Sequence, residues 1–222
     1  MKLKLATMAV AGLMAAGPVL ADLVMPSLSF RTGPYAVGGI PLADGYADYF
    51  TLVNERDGGI GGVPVRVLEC ETAYNTEKGV ECYEATKGEG SLLYQPFSTG
   101  ITYQLIPKVT ADGIALHTMG YSRTSAANGK MFSNVFKFPA NYWDAASVAI
   151  NYLLDENGGD IKGRKIAMVY HNSAYGKEPI RTLETLAEKH GFELSLLPVD
   201  HPGQEQKSQW LQIRREKPDT VL

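Results

Sequence analysis

Residues 91–111, SLLYQPFSTGITYQLIPKVTA, decide the interpretation of this chain. They predict a short buried strand at 92–94, a loop broken by a proline, and a helix with Ser98 or Thr99 as its N-cap. The first turn of such a helix has free backbone N–H groups and a partial positive charge, which suit a carboxylate. In open parallel sheets, ligands bind where strands end and helices begin. Ser98 and Thr99 are therefore candidate ligand-binding residues; a capped helix that only packs is the alternative.

Strands and helices alternate along the rest of the chain. We predict strands at residues 22–28, 63–69, 113–117, 165–170, 192–198 and 220–222, an extended segment at 135–138, and helices at 41–56, 75–87, 141–157, 178–190 and 204–216. This alternation predicts an α/β fold with parallel sheets and right-handed crossovers.

The strands fall into two series, which predict two lobes. We assign residues 22–138 to a first lobe of four strands and residues 139–222 to the first part of a second lobe. The strand at 220–222 has nothing after it. We therefore expect the chain to be the N-terminal part of a longer protein, with the second lobe cut after about three strands.

The first 21 residues predict a secretory signal peptide. Two lysines precede an apolar run at 5–16 that is too short to span a bilayer, and Val19 and Ala21 are small residues at the positions of a cleavage site. Cleavage after Ala21 would place the protein in the periplasm. It would also leave 19 basic against 24 acidic residues, a net charge of −5.

Several function classes find no support. A mildly acidic chain without a basic run argues against nucleic acid and against an anionic membrane as the main partner. The chain has no G-x-S-x-G, H-E-x-x-H or G-x-x-x-x-G-K motif, and its two cysteines and four histidines have no metal-ligand spacing. We expect no enzymatic activity and no cofactor.

Export would expose the two cysteines to an oxidising compartment. Cys70 ends a predicted strand and Cys82 lies in the next helix. A disulfide between them would close a loop of about 13 residues and stabilise the fold by about 3 kcal/mol. We predict this disulfide; two free buried thiols are the alternative.

Taken in order, six segments resemble one family. They are RTGPY at 31–35, NERDGGIGGVPVR at 54–66, FSTG at 97–100, NVFKFP at 134–139, KIAMVYHNSAYGK at 165–177 and PDTVL at 218–222. The set resembles the periplasmic binding proteins of the branched-chain amino acid and amide type (Leu/Ile/Val-binding-like), which serve ABC importers. The resemblance implies two Rossmann-like lobes of the type I periplasmic-binding-protein fold, joined by a hinge, that close on a ligand.

The resemblance also implies roles for particular residues. Ser98 matches a family residue that donates to the ligand carboxylate, and Gly120, Tyr121 and Ser122 match the binding loop after the next strand. Tyr175 matches a tyrosine that covers the ligand from the second lobe. The acidic residue that holds the amino group in amino-acid-binding members lies later in the family, so an α-amino acid ligand is not established.

Some residues depart from the small side chains usual in the family loops. Phe97 and Tyr121 are bulky, which predicts an aromatic pocket, and Tyr35 is a candidate for the mouth of the cleft. The alternative is that Phe97, like Tyr94 and His117, packs inside the first lobe.

Four further side chains could face a ligand. They are Arg31, whose fork suits a carboxylate, Trp143, which could stack on an aromatic ring, and the possible donors His171 and Asn172. Exposure to solvent is the alternative for Arg31, His171 and Asn172, and packing between the lobes is the alternative for Trp143.

The predicted function follows from the resemblance. We expect a monomeric binding protein that captures a small amino acid, amide or aromatic carboxylate and delivers it to the membrane permease of an ABC transporter. The ligand-sensing ectodomain of a receptor or regulator is the alternative.

Overall fold

A computed structural model describes residues 21–118 and 123–222. The predicted signal peptide, apart from Ala21, and the candidate site residues Gly120, Tyr121 and Ser122 lie outside the described residues. None of the described helices is both long and apolar enough to cross a membrane.

The described chain contains strands and helices in alternation. The strands are β1 (Leu23–Ser29), β2 (Val65–Glu71), β3 (Leu93–Tyr94), β4 (Ala115–Thr118), β5 (Val135–Lys137), β6 (Lys165–His171), β7 (Glu193–Val199) and β8 (Thr220–Val221). The helices are α1 (Ala36–Asp57), α2 (Thr76–Thr86), α3 (Thr99–Asp112), α4 (Tyr142–Glu156), α5 (Ala174–Lys177), α6 (Ile180–His190) and α7 (Lys207–Glu216). Two 3₁₀ turns cover Lys87–Glu89 and Thr124–Ala127.

All strand pairs between these elements are parallel. β1 pairs with β2, β3 with β4 and β4 with β5, while β6 lies between β7 and β8. The predicted α/β fold with parallel sheets is confirmed. Parallel neighbours need long crossovers, which contain an α-helix in each case except the connection from β4 to β5, where the described part has the 3₁₀ turn Thr124–Ala127.

The extended segment predicted at 135–138 is a true strand. Val135 pairs with Leu116 and Lys137 with Thr118, so β5 extends the sheet that β3 and β4 form. The count of four strands for this lobe was therefore wrong, because its described residues form five. Val135 is buried while Phe136 is exposed, and three residues are too few for this alternation to identify a strand from sequence.

Helix α1 begins five residues earlier than predicted, and Pro41 lies inside it. The N–H groups of Gly38 and Gly39 both donate to the carbonyl of Tyr35, which starts the helix before the proline. A Cβ at Gly39 would lie 1.9 Å from the carbonyl oxygen of Phe30, so only glycine allows α1 to approach the end of β1 this closely.

Side-chain caps define the starts of three helices. The side chain of Ser98 accepts from the N–H of Ile101 at 3.4 Å and caps α3, which decides between the two predicted N-caps. Asn75 caps α2 through the N–H of Lys78, and Asn141 caps α4. Each cap satisfies donors that the first helical turn leaves free.

The hydrophobic side chains form two separate cores. One core contains Leu28, Tyr83, Tyr94, Leu105 and Leu116 and lies in the predicted first lobe. The other contains Ile150, Ile161, Ile166, Leu183 and Phe192 and lies in the predicted second lobe. Two cores agree with two lobes, and the exact boundary at residues 138 and 139 stays a prediction.

Cys70, in β2, and Cys82, in α2, are joined by a disulfide with their Cα atoms 5.8 Å apart. The disulfide joins the strand to the following helix. It closes the connection that contains Tyr74, a residue of the site described next.

Candidate ligand site between the lobes

The start of α3 forms one wall of a small cavity. The short strand β3 leads through residues 95–97 to Ser98, and both Ser98 and Thr99 are buried. The carbonyl of Ser98 accepts from the N–H and the hydroxyl of Thr102, which holds the first turn in place. The N-terminal end of α3 thus opens into a space of about 210 Å³.

Both lobes contribute to this cavity, here called the α3 cavity. Its lining consists of Tyr74, Thr76, Ser98, Thr99 and Gly100 from the first lobe and His171, Ser173, Ala174, Tyr175 and His201 from the second. The lining has hydroxyls, imidazoles and a helix start, and it contains no Asp, Glu, Lys or Arg among the described residues. These groups suit a small polar or anionic molecule.

A second, more aromatic cavity of about 440 Å³ adjoins it. This aromatic cavity is lined by Phe30, Pro34, Tyr35, Val37, Gly38, Tyr74, Phe97 and Tyr175. Tyr74 and Tyr175 belong to both linings, one from each lobe, so their side chains lie where the two spaces meet.

The structure brings together the five predicted site residues that it describes. Ser98 and Thr99 line the α3 cavity, Phe97 and Tyr35 line the aromatic cavity, and Tyr175 lines both.

Three ring-bearing side chains could either line the cleft or pack inside the first lobe, and the structure places them differently. Phe97 is half-buried, packs edge-on to Tyr46 at 5.7 Å between ring centroids, and still lines the aromatic cavity. Tyr94 is completely buried, and its hydroxyl lies 2.6 Å from that of Thr86, so it packs inside the first lobe. His117 lies in β4, beside Phe136 of β5, and lines neither cavity.

Arg31 and Trp143 do not reach these cavities. The guanidinium of Arg31 pairs with Asp44 at 2.6 Å and with Glu69, so other residues of the first lobe already use its donors. Trp143 is exposed, and its indole Nε1 donates to the carbonyl of Glu178 at 3.1 Å. The structure thus supports neither side chain as a ligand contact in the cleft.

Tyr35 connects the lobes through two histidines. Its hydroxyl lies 3.0 Å from Nε2 of His171 and 2.9 Å from Nδ1 of His201. His171 also stacks on Tyr175, with ring centroids 5.4 Å apart. Asn172 points elsewhere and donates to Asp200 at 2.7 Å. One first-lobe hydroxyl thus meets two second-lobe imidazoles at the edge of the site.

Burial favours the neutral forms of three side chains of the site, His171, Tyr74 and Tyr175. Burial lowers the pKa of His171, the nearby His201 lowers it further, and Asp200 opposes both effects. Burial also raises the pKa of Tyr175 and of Tyr74, where a hydrogen bond with Ser98 opposes the shift. Tyr74 and Tyr175 therefore remain protonated and able to donate hydrogen bonds near pH 7.

Two buried polar atoms at the α3 cavity have no hydrogen-bond partner in the part of the chain that the structure describes. They are Nδ1 of His171 and Oγ of Ser173, and both residues belong to the cavity lining. Buried polar atoms are normally hydrogen-bonded, so these two are available to a bound molecule. Among the described residues, no group of three or more His, Cys, Asp or Glu side chains could hold a metal ion.

Sequence reasoning missed Tyr74, Thr76 and His201. Each follows a strand of a parallel sheet: Tyr74 and Thr76 come after β2, and His201 comes after β7. The rule that ligands bind beyond the carboxyl ends of parallel strands could have identified all three.

A family model described as periplasmic binding protein matches residues 25–222. The chain belongs to this family. The match covers nearly all of the described residues and confirms the type I periplasmic-binding-protein fold expected from the sequence motifs.

Three relatives illustrate what this periplasmic binding protein resembles. Leu/Ile/Val-binding protein homolog 7 of Brucella suis biovar 1 is 25% identical over 230 residues, which covers all of this chain and 57% of that protein. A structure described as an ABC transporter permease from the Pseudomonas fluorescens group is 42% identical, with a TM-score of 0.78, and the match covers 92% of this chain and 50% of that one. A branched-chain amino acid ABC transporter protein of Thermus thermophilus with bound valine has a TM-score of 0.77 at 19% identity, with 91% and 52% coverage.

These comparisons confirm the resemblance to the Leu/Ile/Val-binding type. The relatives are transport and binding proteins, in agreement with the prediction that this periplasmic binding protein is not an enzyme. The chain spans about half the length of the relatives it matches.

Proposed function

We propose that the full-length protein is an extracytoplasmic solute-binding protein of an ABC importer. It holds a small carboxylate or amide between its lobes, and the closed form is recognised by the membrane permease. The α3 cavity carries this proposal, because it combines a helix start with residues from both lobes and with two unpartnered buried polar atoms. The predicted signal peptide and the family membership support a periplasmic location.

The chemistry of the lining suggests how a ligand binds. A carboxylate or carbonyl oxygen accepts hydrogen bonds from Ser98, Thr99 and the free N–H groups at the start of α3. Nδ1 of His171 and Oγ of Ser173 bind a second polar group from the other lobe. A ligand that contacts both lobes stabilises the closed arrangement, because open lobes cannot make both sets of contacts.

The apolar part of the ligand packs against the rings of Tyr74 and Tyr175, which line the α3 cavity. Tyr175 covers the α3 cavity from the second lobe, and Phe97 and Tyr35 lie beyond it. Candidate ligands are therefore branched or aromatic amino acids, short amides and aromatic carboxylates. The valine in the Thermus thermophilus relative supports an amino acid.

A thermal-shift screen of the full-length protein without its leader tests this proposal. The panel contains branched and aromatic amino acids, aromatic acids, short amides, urea and dicarboxylates. A ligand that binds only the folded state raises the melting temperature, by an amount that grows with its concentration. A carboxylate or amide hit supports the proposed function, and no shift with any compound contradicts it. Size-exclusion chromatography with and without the hit checks that the protein is a monomer.

A further inference from the structure

Tyr74 occupies a special position in the site. Of the described first-lobe residues, it alone lines both the α3 cavity and the aromatic cavity, and Tyr175 is its counterpart from the second lobe. Its ring packs edge-on against Phe30 at 4.9 Å and against Tyr35 at 4.7 Å between centroids. The Tyr74 ring therefore stands between the two spaces and is supported from the side of the aromatic cavity.

The backbone that aims this ring is unusual. Ala73 has a φ of 50° and Tyr74 a φ of 60°, both in the left-handed region that side chains other than glycine rarely adopt. Such a conformation is unfavourable and persists only where the surroundings hold it. Strain of this kind concentrates at functional sites, and here it directs a large side chain into the cleft.

Local hydrogen bonds hold this conformation. The carboxylate of Glu71 accepts from the N–H of Ala73 at 2.8 Å and from the N–H of Arg31 at 2.8 Å. The hydroxyl of Thr72 donates to the carbonyl of Ser29 at 2.8 Å and accepts from the N–H of Tyr74 at 3.1 Å. These bonds fix the turn to the end of β1, so the ring has little freedom to move aside.

We propose that Tyr74 is a specificity-determining residue that confines the ligand to the α3 cavity. This inference rests on the proposed function and adds a substrate class to it: compact carboxylates or amides, with longer ligands excluded because they would have to pass the Tyr74 ring. The α3 cavity holds about 210 Å³, and joining it to the 440 Å³ aromatic cavity would admit a ligand with an additional ring.

The test compares short and long carboxylates on the full-length protein. Binding is measured by calorimetry for benzoate against biphenyl-4-carboxylate and for L-valine against L-phenylalanine. We expect the wild-type protein to prefer the shorter member of at least one pair by about tenfold or more, the scale on which pocket size discriminates. Tyr74→Ala should reduce or reverse that ratio, whereas Tyr74→Phe, which keeps the ring, should retain it.

Two further variants keep the result interpretable. Tyr49→Ala removes an exposed tyrosine of the same lobe and should leave the ratio unchanged. Tyr74→Leu retains apolar bulk in case Tyr74→Ala does not fold, and should relax the ratio because leucine is shorter than the ring.

If the wild type binds a short ligand and both smaller variants keep its ratio, Tyr74 is not the determinant. If the wild type binds the short and long ligands equally well, this inference is also overturned, but the proposed function is not. If the wild type binds neither pair and the wider screen also gives no shift, the proposed function fails as well.

Discussion

Ser98 serves two purposes with one hydroxyl. It caps α3 through the N–H of Ile101 and also faces the α3 cavity. In the cap bond the hydroxyl oxygen accepts, so its own proton can be donated, either to Tyr74 or to an acceptor in the cavity. This side chain therefore connects the stability of the helix with the binding of a ligand.

Replacing Ser98 by alanine should weaken both properties. We expect a loss of about 1–3 kcal/mol of binding free energy, since a hydrogen bond to a buried charged group is lost. We also expect about 1 kcal/mol lower stability, because α3 loses its cap. Calorimetry with the ligand from the screen and urea unfolding measure the two effects. Ser208→Ala, at an exposed position, is the control, and unchanged affinity in Ser98→Ala would remove Ser98 from the site.

Substitution of Gly39 tests whether the close approach of α1 to the end of β1 requires glycine. In Gly39→Ala the new methyl group would meet the carbonyl oxygen of Phe30 at 1.9 Å, so the start of the helix must move. We expect about 1–3 kcal/mol of destabilisation in urea unfolding, as for other overpacked sites. Gly45→Ala in the same helix meets nothing within 4 Å and should be stabilising by about 0.5–1 kcal/mol. Similar effects of both substitutions would contradict this explanation.

At the scale of elements, the disulfide fixes α2 to β2. Between its two cysteines lies the turn that carries Tyr74, as well as Thr76 at the start of α2. The disulfide therefore limits the motion of a segment that lines both cavities. The hydrogen bonds of Glu71 and Thr72 act on the same turn from the side of the strand.

Removing the disulfide should loosen this segment. For the Cys70→Ser/Cys82→Ser variant we expect about 3 kcal/mol lower unfolding free energy, the usual effect of opening a loop of this length. Amide hydrogen exchange at residues 72–76 should become faster, while exchange in β6 should stay unchanged when both proteins are compared well below their unfolding transitions. A reducing agent should reproduce the effect in the wild type and should not change the variant. Equal stability of the oxidised wild type and the variant would contradict a stabilising role.

At the scale of the whole molecule, two contacts between the lobes contain a titratable side chain. The hydroxyl of Tyr35 contacts His171 and His201, and the N–H of Thr124 donates to the carboxylate of Glu178. Burial raises the pKa of Glu178, and the bond from Thr124 partly offsets this. Both contacts contain a titratable group, so closure of the lobes should depend on pH.

The histidine contact predicts weaker binding in acid. The pKa of His171 is lowered in this structure, in which the lobes are in contact, so separated lobes take up protons first. The histidine contact contributes fully to the stability of the closed form when the pH is above the ordinary histidine pKa of about 6.5. This contribution is lost as the pH falls below that value. Glu178 has the opposite effect, because its pKa is raised where the lobes are in contact, so its protonation favours that contact. This effect belongs to the more acidic range in which carboxyl groups titrate. With a ligand that does not titrate, affinity should be constant from about pH 8 to 7 and should fall towards pH 5.5.

Two substitutions distinguish the effect of His171 on the pH profile from the effect of another histidine. His171→Gln should flatten the pH profile, because it removes the group whose protonation opposes closure. His190→Gln, at the C-terminal end of α6, should leave the profile as it is in the wild type. A His171→Gln profile as steep as that of the wild type would assign the pH dependence to another group.

Much of the fold was predictable from local patterns. The alternation of strands and helices, the caps at Asn75 and Ser98 and the glycine that ends α6 each depend on a few neighbouring residues. Short windows of sequence encode such features, because backbone preferences and capping act over one helical turn. The ordered motifs also led to the correct family before any tertiary contact was known.

The tertiary structure decided which side chains share a partner. Tyr74, Ser98, His171 and His201 are far apart in sequence and meet only because parallel strands end at the same edge of their sheets. Arg31, a plausible ligand contact by residue type, is instead paired with Glu69, 38 residues away in sequence, and with Asp44. Local sequence determines which elements form, whereas the packing of distant elements determines what each side chain contacts. The α/β fold could therefore be predicted from the sequence alone, while the tertiary structure was needed to locate the wall at Tyr74 and the contact between Tyr35 and the two histidines.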